Sequence, residues 1–449
     1  MSVLTQPIES IDAVPLLRMT GRVRAVAGMT VTATGISAPV GAVCRLLPAG
    51  CAPIEAQVIG FRSDRTILMP LGAALGVQPD DPVQTGGAAQ FVAVGRSLLG
   101  RVVNGLGRCI DGKGGLTVER MQPVMAPSPA PLALGRITQP LPLGIRVIDA
   151  MHTVGKGQRL GIFAGTGVGK SVLLGMIARF TSSDVNVVAL IGERGREVGD
   201  FLARELGEAG LSKTVMVVST ADESAALRVR ACFVATAIAE FFRQEGADVL
   251  LMMDSLTRMA MAQRQIGLSA GEPPTTKGYP PSVFALLPQL VERVGRTPEG
   301  SITGLYTVLV EGDDLTDPIA DAVRGTLDGH VWLSRKLANR GHYPAADTLE
   351  SISRVMDGVV VAEHLEAAGK VRAVLATWED IEDLVNIGAY ASGANVDYDV
   401  AVKMKPRIDA FLRQDMNQRG DFDETVGGLI ELAGEVDAVR RELEGEAAD

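Results

Sequence analysis

The sequence is short of several things at once, and each shortage removes a class of protein. Aromatic residues are 4% of the 449 residues, too few for the stacking platforms that hold single-stranded nucleic acid. Positive charge is not in surplus. Lys and Arg number 43 against 53 Asp and Glu, a net charge of −10, whereas binding to a phosphate backbone runs on excess Lys and Arg. No nucleic-acid partner is expected. Cysteine occurs four times, as Cys44, Cys51, Cys109 and Cys232, with no C-x-x-C pair. That is far too few to staple a chain of this length, and all four read as small buried hydrophobes in a reducing cytosol. The four histidines (His152, His330, His342, His364) are scattered and form no H-E-x-x-H pattern, so a zinc site is not expected. Long apolar runs are also missing. Stretches such as 249–253 end far short of the roughly 18 residues of a membrane-spanning helix. Residues 1–17 carry neither the charged start nor the long apolar stretch of a secretory signal. A soluble, cytoplasmic protein is expected.

What is present describes a folded, multidomain chain. Hydrophobic residues are 47% and charged residues 21%, which excludes disorder. The length fits about two to four domains. Glycine is abundant, 51 of 449, about 11% against an average of roughly 7%. Such a surplus points to many tight turns, or to a backbone that must approach a ligand closely.

Residues 1–17 read as an arm. Thr5 can cap a turn with Pro7 near its start, and Leu4, Ile8 and Ile11 then share one helical face. That stripe suits a partner-docking helix or one folded onto its own domain. From 18 to 93 short alternating segments, such as 22–27, 29–33 and 55–59, are separated by Gly, Pro and Asp. These predict a small β-barrel. From 94 to 362 apolar runs at 159–163, 185–191, 214–219, 248–253, 304–310 and 330–333 alternate with helical patterns at 171–180, near 199–209 and at 224–244. Continuous apolar strands are what burial on both faces of a parallel sheet requires. Residues 363–449 read as helical, with the acidic end from Glu431 onward expected to fray.

The sharpest motif is Ala164-Gly-Thr-Gly-Val-Gly-Lys-Ser171, between a buried strand and a helix. This is the context of a phosphate-binding P-loop. Gly165, Gly167 and Gly169, with Thr166 and Val168 between them, let successive backbone N–H groups turn toward a polyphosphate. The helix beginning near Lys170 adds its free N–H groups and positive dipole end. Lys170 can reach the β- and γ-phosphates of ATP, and Ser171 can ligate Mg²⁺. The usual first glycine is Ala164, which an extended backbone tolerates.

Two further strand ends join it. The run 249–253 closes on Asp254, where a carboxylate would lie beside the P-loop and help to hold Mg²⁺. The strand ending at Ile191 leads into Gly192-Glu-Arg-Gly-Arg-Glu197. Glu193 could polarise an attacking water as a general base and Arg194 could meet the γ-phosphate. The same run also suits a solvated charged loop.

Together these pieces resemble the catalytic subunits of the rotary ATP synthase alpha/beta family, and more closely the flagellar and type III protein-export ATPases. The resemblance spans nearly the whole chain. It implies an N-terminal β-barrel, a central RecA-like α/β P-loop domain with a mostly parallel sheet, and a C-terminal helical domain. Gly192–Val198 resembles that family's catalytic-glutamate loop, and Asp254-Ser-Leu-Thr-Arg258 its Walker B segment, with Arg258 as a phosphate sensor. Pro273–Phe284 resembles the export ATPases' central loop, and Glu311–Asp321 another export-type segment. Tyr343-Pro-Ala-Ala-Asp-Thr-Leu-Glu-Ser-Ile-Ser-Arg354 resembles a family signature. It implies that Tyr343 packs on adenine and that Arg354 completes the neighbouring subunit's site. Ala346 stands where a larger aliphatic is usual.

The implied activity is Mg-dependent ATP hydrolysis that energises flagellar protein export from a homohexameric ring. The implied partners are a central stalk protein, an export gate, export substrates and their chaperones. A stator-like regulator would bind residues 1–17, and the ring would sit at the cytoplasmic side of a membrane-embedded apparatus. The alternatives are a rotary synthase catalytic subunit, an ATP-driven RNA translocase, and a regulatory subunit without turnover.

Overall fold

The computed structural model describes residues 19–86, 91–310 and 317–446. The expected arm and the Glu311–Thr316 part of the export-type segment lie outside the described residues.

Six strands, β1 (Thr20–Ala27), β2 (Thr30–Thr34), β3 (Val43–Leu46), β4 (Ile54–Arg62), β5 (Arg65–Pro70) and β6 (Pro82–Thr85), close into a barrel in the order β1-β2-β5-β4-β3-β6. Alternation decides which way each side chain points. Val23, Val31, Cys44, Leu46, Val58 and Leu68 fill the interior. The β1–β2 turn needs a left-handed residue, and Gly28 supplies it at φ 56°. The two segments β7 (Phe91–Val94) and β9 (Arg120–Pro123) form a separate antiparallel pair.

The remaining strands are β8 (Val102–Asn104), β10 (Arg159–Ala164), β11 (Val185–Glu193), β12 (Thr214–Thr220), β13 (Asp248–Asp254), β14 (Gly295–Arg296), β15 (Ser301–Leu309), β16 (Gly329–Leu333) and β17 (Ala346–Ser353). They form one sheet, ordered β17-β16-β10-β15-β13-β11-β12-β8, with the short β14 pairing β15. Seven of these strands run parallel, while β17 at the edge and β14 are antiparallel. All nine residues of β11 are buried, as a strand covered on both faces must be.

Ten helices matter below: α1 (Arg146–Met151), α2 (Lys170–Phe180), α3 (Ala225–Gln244), α4 (Leu256–Ala270), α5 (Pro281–Val291), α6 (Pro318–Thr326), α7 (Arg335–Asn339), α8 (Ala362–Asn386), α9 (Val396–Leu412) and α10 (Phe422–Glu446). Helix α3 is apolar nearly all round and buried along most of its length. Ser224 caps it by accepting from the Leu227 N–H over 3.2 Å. Among the described residues no helix is long and apolar enough to cross a membrane.

Three expectations change. The helix near 199–209 is not one helix: Gly195–Asp200 runs into a wider π-type turn at Phe201–Leu206, and a last short helix starts at Gly207. Gly207 sits at φ 64°, outside helical space, and interrupts the run. The acidic C-terminal end does not fray up to Glu446. Helix α10 continues because Leu429, Leu432, Ala433 and Val436 share one buried stripe. Nor are all four cysteines buried: Cys44 and Cys232 are, but Cys51 is exposed and Cys109 half-buried.

Candidate functional site

The glycine loop runs from the end of β10 into α2. Ala164 is the last residue of β10, so its backbone is extended and the departure from glycine there costs nothing. Gly167 and Gly169 take left-handed φ values of 78° and 89°, which L side chains resist. Gly169 is the N-cap of α2 and no side chain caps that end. The first-turn N–H groups therefore face the loop without a partner from a capping side chain, the arrangement that binds anions. Val168 is buried at 2% exposure and anchors the loop. Thr166 is exposed, and its carbonyl accepts from Arg335 Nη1 over 3.1 Å.

A tight ionic cluster stands beside the loop. Lys170 Nζ lies 2.5 Å from Asp254 Oδ1 and 3.8 Å from Glu193 Oε1. Thr307 Oγ1, on β15, donates to the same Asp254 oxygen over 2.6 Å. Arg258 Nη2 sits 3.2 Å from Glu193 Oε2, and Nη1 donates to the Gly192 carbonyl. These groups meet because β10, β11 and β13 run parallel and all end on one side of the sheet. Ser255 then caps α4 by accepting from the Arg258 N–H over 3.3 Å, which sets Arg258 on the first turn, facing Glu193.

The cluster shifts the Glu193 carboxyl up to about 8. Burial is the largest cause, followed by the neighbouring Glu197 carboxyl and the Asp254 charge. Lys170 and Arg258 pull the other way and lose. Glu197, the partner in that shared proton, is held below its usual range.

Asp254 is 4% exposed, and its Oδ2 accepts no hydrogen bond among the described residues, whereas Oδ1 takes two. The Ser171 hydroxyl is on an exposed residue of the first turn of α2. A carboxylate oxygen and a hydroxyl are the hard donors that Mg²⁺ prefers. Among the described residues no group of three or more His, Cys, Asp or Glu stands ready to hold a metal. A bound Mg²⁺ would complete its shell with water and phosphate oxygens, as is usual for that ion.

On the other side of the loop a cavity of about 420 Å³ opens between Val172, Met176, Leu333, Tyr343 and Gln414. Tyr343 is 46% exposed. Its ring lies against the loop: a Cβ added at Gly169 would meet it at 3.4 Å. The cavity is large enough and apolar enough for a planar base. Gln414, between α9 and α10, ties the C-terminal helices to it. Its N–H donates to the Tyr343 carbonyl over 3.0 Å, Nε2 to the Gly144 carbonyl over 2.8 Å, and Oε1 accepts from the Arg146 N–H over 2.7 Å.

The structure thus brings together Lys170, Glu193, Asp254 and Arg258, with Ser171 and Tyr343 around the same loop. It does not bring in Arg194, whose side chain is 82% exposed and points to Glu197 at 3.9 Å. Arg354 is exposed and follows the far end of β17. Thr307 and Gln414 were missed by sequence reasoning. A threonine in a β-branched strand and a glutamine after a helix carry no local signal of their contacts.

Comparison with known proteins gives a consistent picture. Residues 144–353 match the model of the ATP synthase alpha/beta family, nucleotide-binding domain, and residues 360–431 that of the T3SS EscN ATPase C-terminal domain. The flagellum-specific ATP synthase of Bacillus subtilis is 46% identical over 95% of this chain and 98% of its own. The type 3 secretion system ATPase of Xanthomonas euvesicatoria is 47% identical over 91% and 93%. Among solved structures, the assembled ATPase EscN from the enteropathogenic E. coli type III secretion system superposes with a TM-score of 0.88 at 43% identity. It covers 92% of this chain and all of the other. EscN in complex with its central stalk EscO gives 0.85 at 42% identity, with 92% and 100% covered.

Proposed function

This chain belongs to the ATP synthase alpha/beta family, among its flagellum-specific and type 3 secretion ATPases, and it is an ATPase; we propose that it energises flagellar protein export as a ring of identical copies. The observation that carries this is the placement of Lys170, Glu193 and Asp254 at one end of the sheet and of Arg354 at the other. Each copy then holds most of one site and supplies the finishing group to another.

In the proposed reaction, ATP and water become ADP and phosphate. The amides of 165–169 and the first turn of α2 receive the β- and γ-phosphates. Lys170, which rests on Asp254 at 2.5 Å, swings its ammonium group to the incoming phosphate oxygens and stays charged. Ser171 and Asp254 would hold Mg²⁺, which neutralises phosphate charge when bound. Glu193, as the carboxylate, orients water in line and takes its proton. Arg258 fixes Glu193 from behind. Arg354 of the next copy meets the charge that develops on the transferring group, a contribution worth about 10³–10⁵ in rate in related reactions.

Adenine stacks on Tyr343 and closes the cavity against Gln414, so nucleotide occupancy is felt by the C-terminal helices. The relative EscN is described with a central stalk, EscO, which supports a stalk partner here. The proposal also places a regulator on the 1–17 arm, an export gate, cargo and chaperones around a cytoplasmic ring at the membrane apparatus. The two relatives compared above, each matching over nine-tenths of this chain, are a flagellum-specific protein and a type 3 secretion system ATPase, which supports a role in export. The test is a pull-down from cells with the arm intact and deleted. Export components recovered only with the arm support the reading; none recovered in either case contradicts it.

A further inference from the structure

Strand β15 lies between the P-loop strand β10 and the strand β13 that ends in Asp254. Its neighbours in sequence, Leu305, Tyr306 and Val308, are buried and apolar or aromatic, and Thr307 among them is itself 0% exposed. A hydroxyl taken out of water at such a place needs a partner. Its closest is Asp254 Oδ1, at 2.6 Å; the Met253 carbonyl, at 3.4 Å, is a poor second. A hydroxyl has one proton to give, and the geometry spends it on the carboxylate.

Two donors therefore share one oxygen. Lys170 Nζ and Thr307 Oγ1 both reach Asp254 Oδ1, and Oδ2 receives nothing from the described residues. When Lys170 moves to phosphate, Thr307 is the donor that remains on Oδ1. We propose that Thr307 is a positioning residue for nucleotide binding: its hydroxyl pins Oδ1 of Asp254 and so keeps Oδ2 available to Mg²⁺, without itself touching metal or phosphate. This rests on the reading of Asp254 as a metal-site carboxylate. Without the hydroxyl the carboxylate is free to rotate once Lys170 has left, and the fixed orientation that favours the metal is lost.

The experiment measures ADP binding to the full-length chain, by calorimetry, in EDTA and across a MgCl₂ titration. Thr307→Val removes the hydroxyl and keeps the shape. It should bind metal-free ADP within about twofold of the parent, while the Mg²⁺ concentration for half-maximal enhancement rises about tenfold, the scale of one lost hydrogen bond to a charged group. Thr307→Ser should restore the parent's Mg²⁺ dependence. Thr307→Ala serves the same purpose if the valine variant does not fold. Asp254→Asn is the reference. If Asp254→Asn loses the Mg²⁺ effect and Thr307→Val keeps it unchanged, the role of Thr307 is overturned and that of Asp254 stands. If Asp254→Asn also keeps it, the reading of Asp254 is wrong and the inference falls with it.

Discussion

Tyr343 and Arg354 stand beyond opposite ends of one strand. On β17, Ala346 pairs with Leu333 at the carboxyl end of β16, and Ser353 pairs with Gly329 at its amino end. Tyr343 lies against the P-loop. Arg354 emerges on the far side of the sheet, beyond the four residue steps of β16, about 13 Å. It is exposed, and its guanidinium makes no ion pair or hydrogen bond among the described residues. One copy cannot bring its own Arg354 to its own phosphate site, so the role proposed for Arg354 requires an adjacent copy.

Arg354→Ala should bind ATP and assemble as the parent does, yet lose turnover by about 10³-fold or more. Steady-state hydrolysis, run beside nucleotide binding and sizing, checks this. Turnover within a few-fold of the parent removes Arg354 from the mechanism.

The Glu193 carboxyl sits at about 8 against an ordinary 4.5, so in the nucleotide-free chain it is protonated at neutral pH. The base form appears as pH rises through about 8, and kcat/KM should climb along that limb. Glu197→Ala removes the partner that shares the proton, and should move the limb to lower pH. An unmoved limb contradicts the coupling. Stability has the opposite sense. A folded-state pKa raised above the unfolded one favours folding below about 4.5, and that contribution is lost as pH rises through about 8. Glu193→Gln keeps the neutral form, so its unfolding should lose this pH dependence while bound ATP is retained unhydrolysed.

Tyr343→Ala should raise KM for ATP roughly three- to tenfold, the scale of one aromatic stacking contact, with kcat within about twofold. Tyr343→Phe should behave as the parent. A fall in kcat with KM unchanged would mean that the ring acts on the chemistry rather than on the base.

Arg293 is 0% exposed and makes a two-pronged pair with Glu240, Nε to Oε1 at 2.8 Å and Nη2 to Oε2 at 2.6 Å, while Nη1 donates to the Val124 carbonyl at 2.6 Å. Glu240→Ala leaves that guanidinium buried without its counter-charge, with only the Val124 carbonyl still accepting from it, and should cost about 3–5 kcal/mol in urea unfolding. A loss below about 1 kcal/mol, the size for a surface pair, would show that water replaces the carboxylate.

Legibility in the sequence followed distance along the chain. Gly165 to Ser171 is contiguous, so the loop could be read directly. Glu193 and Asp254 were readable because parallel strands gather their carboxyl ends, and each residue closes an apolar run. The role proposed for Arg354 came only through resemblance, since nothing local marks a group meant for another copy. Thr307 meets Asp254 across 53 residues, and its β-branched side chain looks like any other in a strand. The acidic composition after Glu431 hid the Leu429–Val436 stripe that holds α10 in place. Gly207, taken as one residue of a helix, proved to break it.

The central claim is that two copies share each site, and mixing two inert variants tests it most directly. Glu193→Gln keeps Arg354 but lacks the base; Arg354→Ala keeps the base but lacks the finger. Assembled together from dissociated chains, they should hydrolyse ATP although neither does so alone, because some interfaces then join an intact Glu193 to an intact Arg354. Co-assembled rings that stay silent would contradict the account.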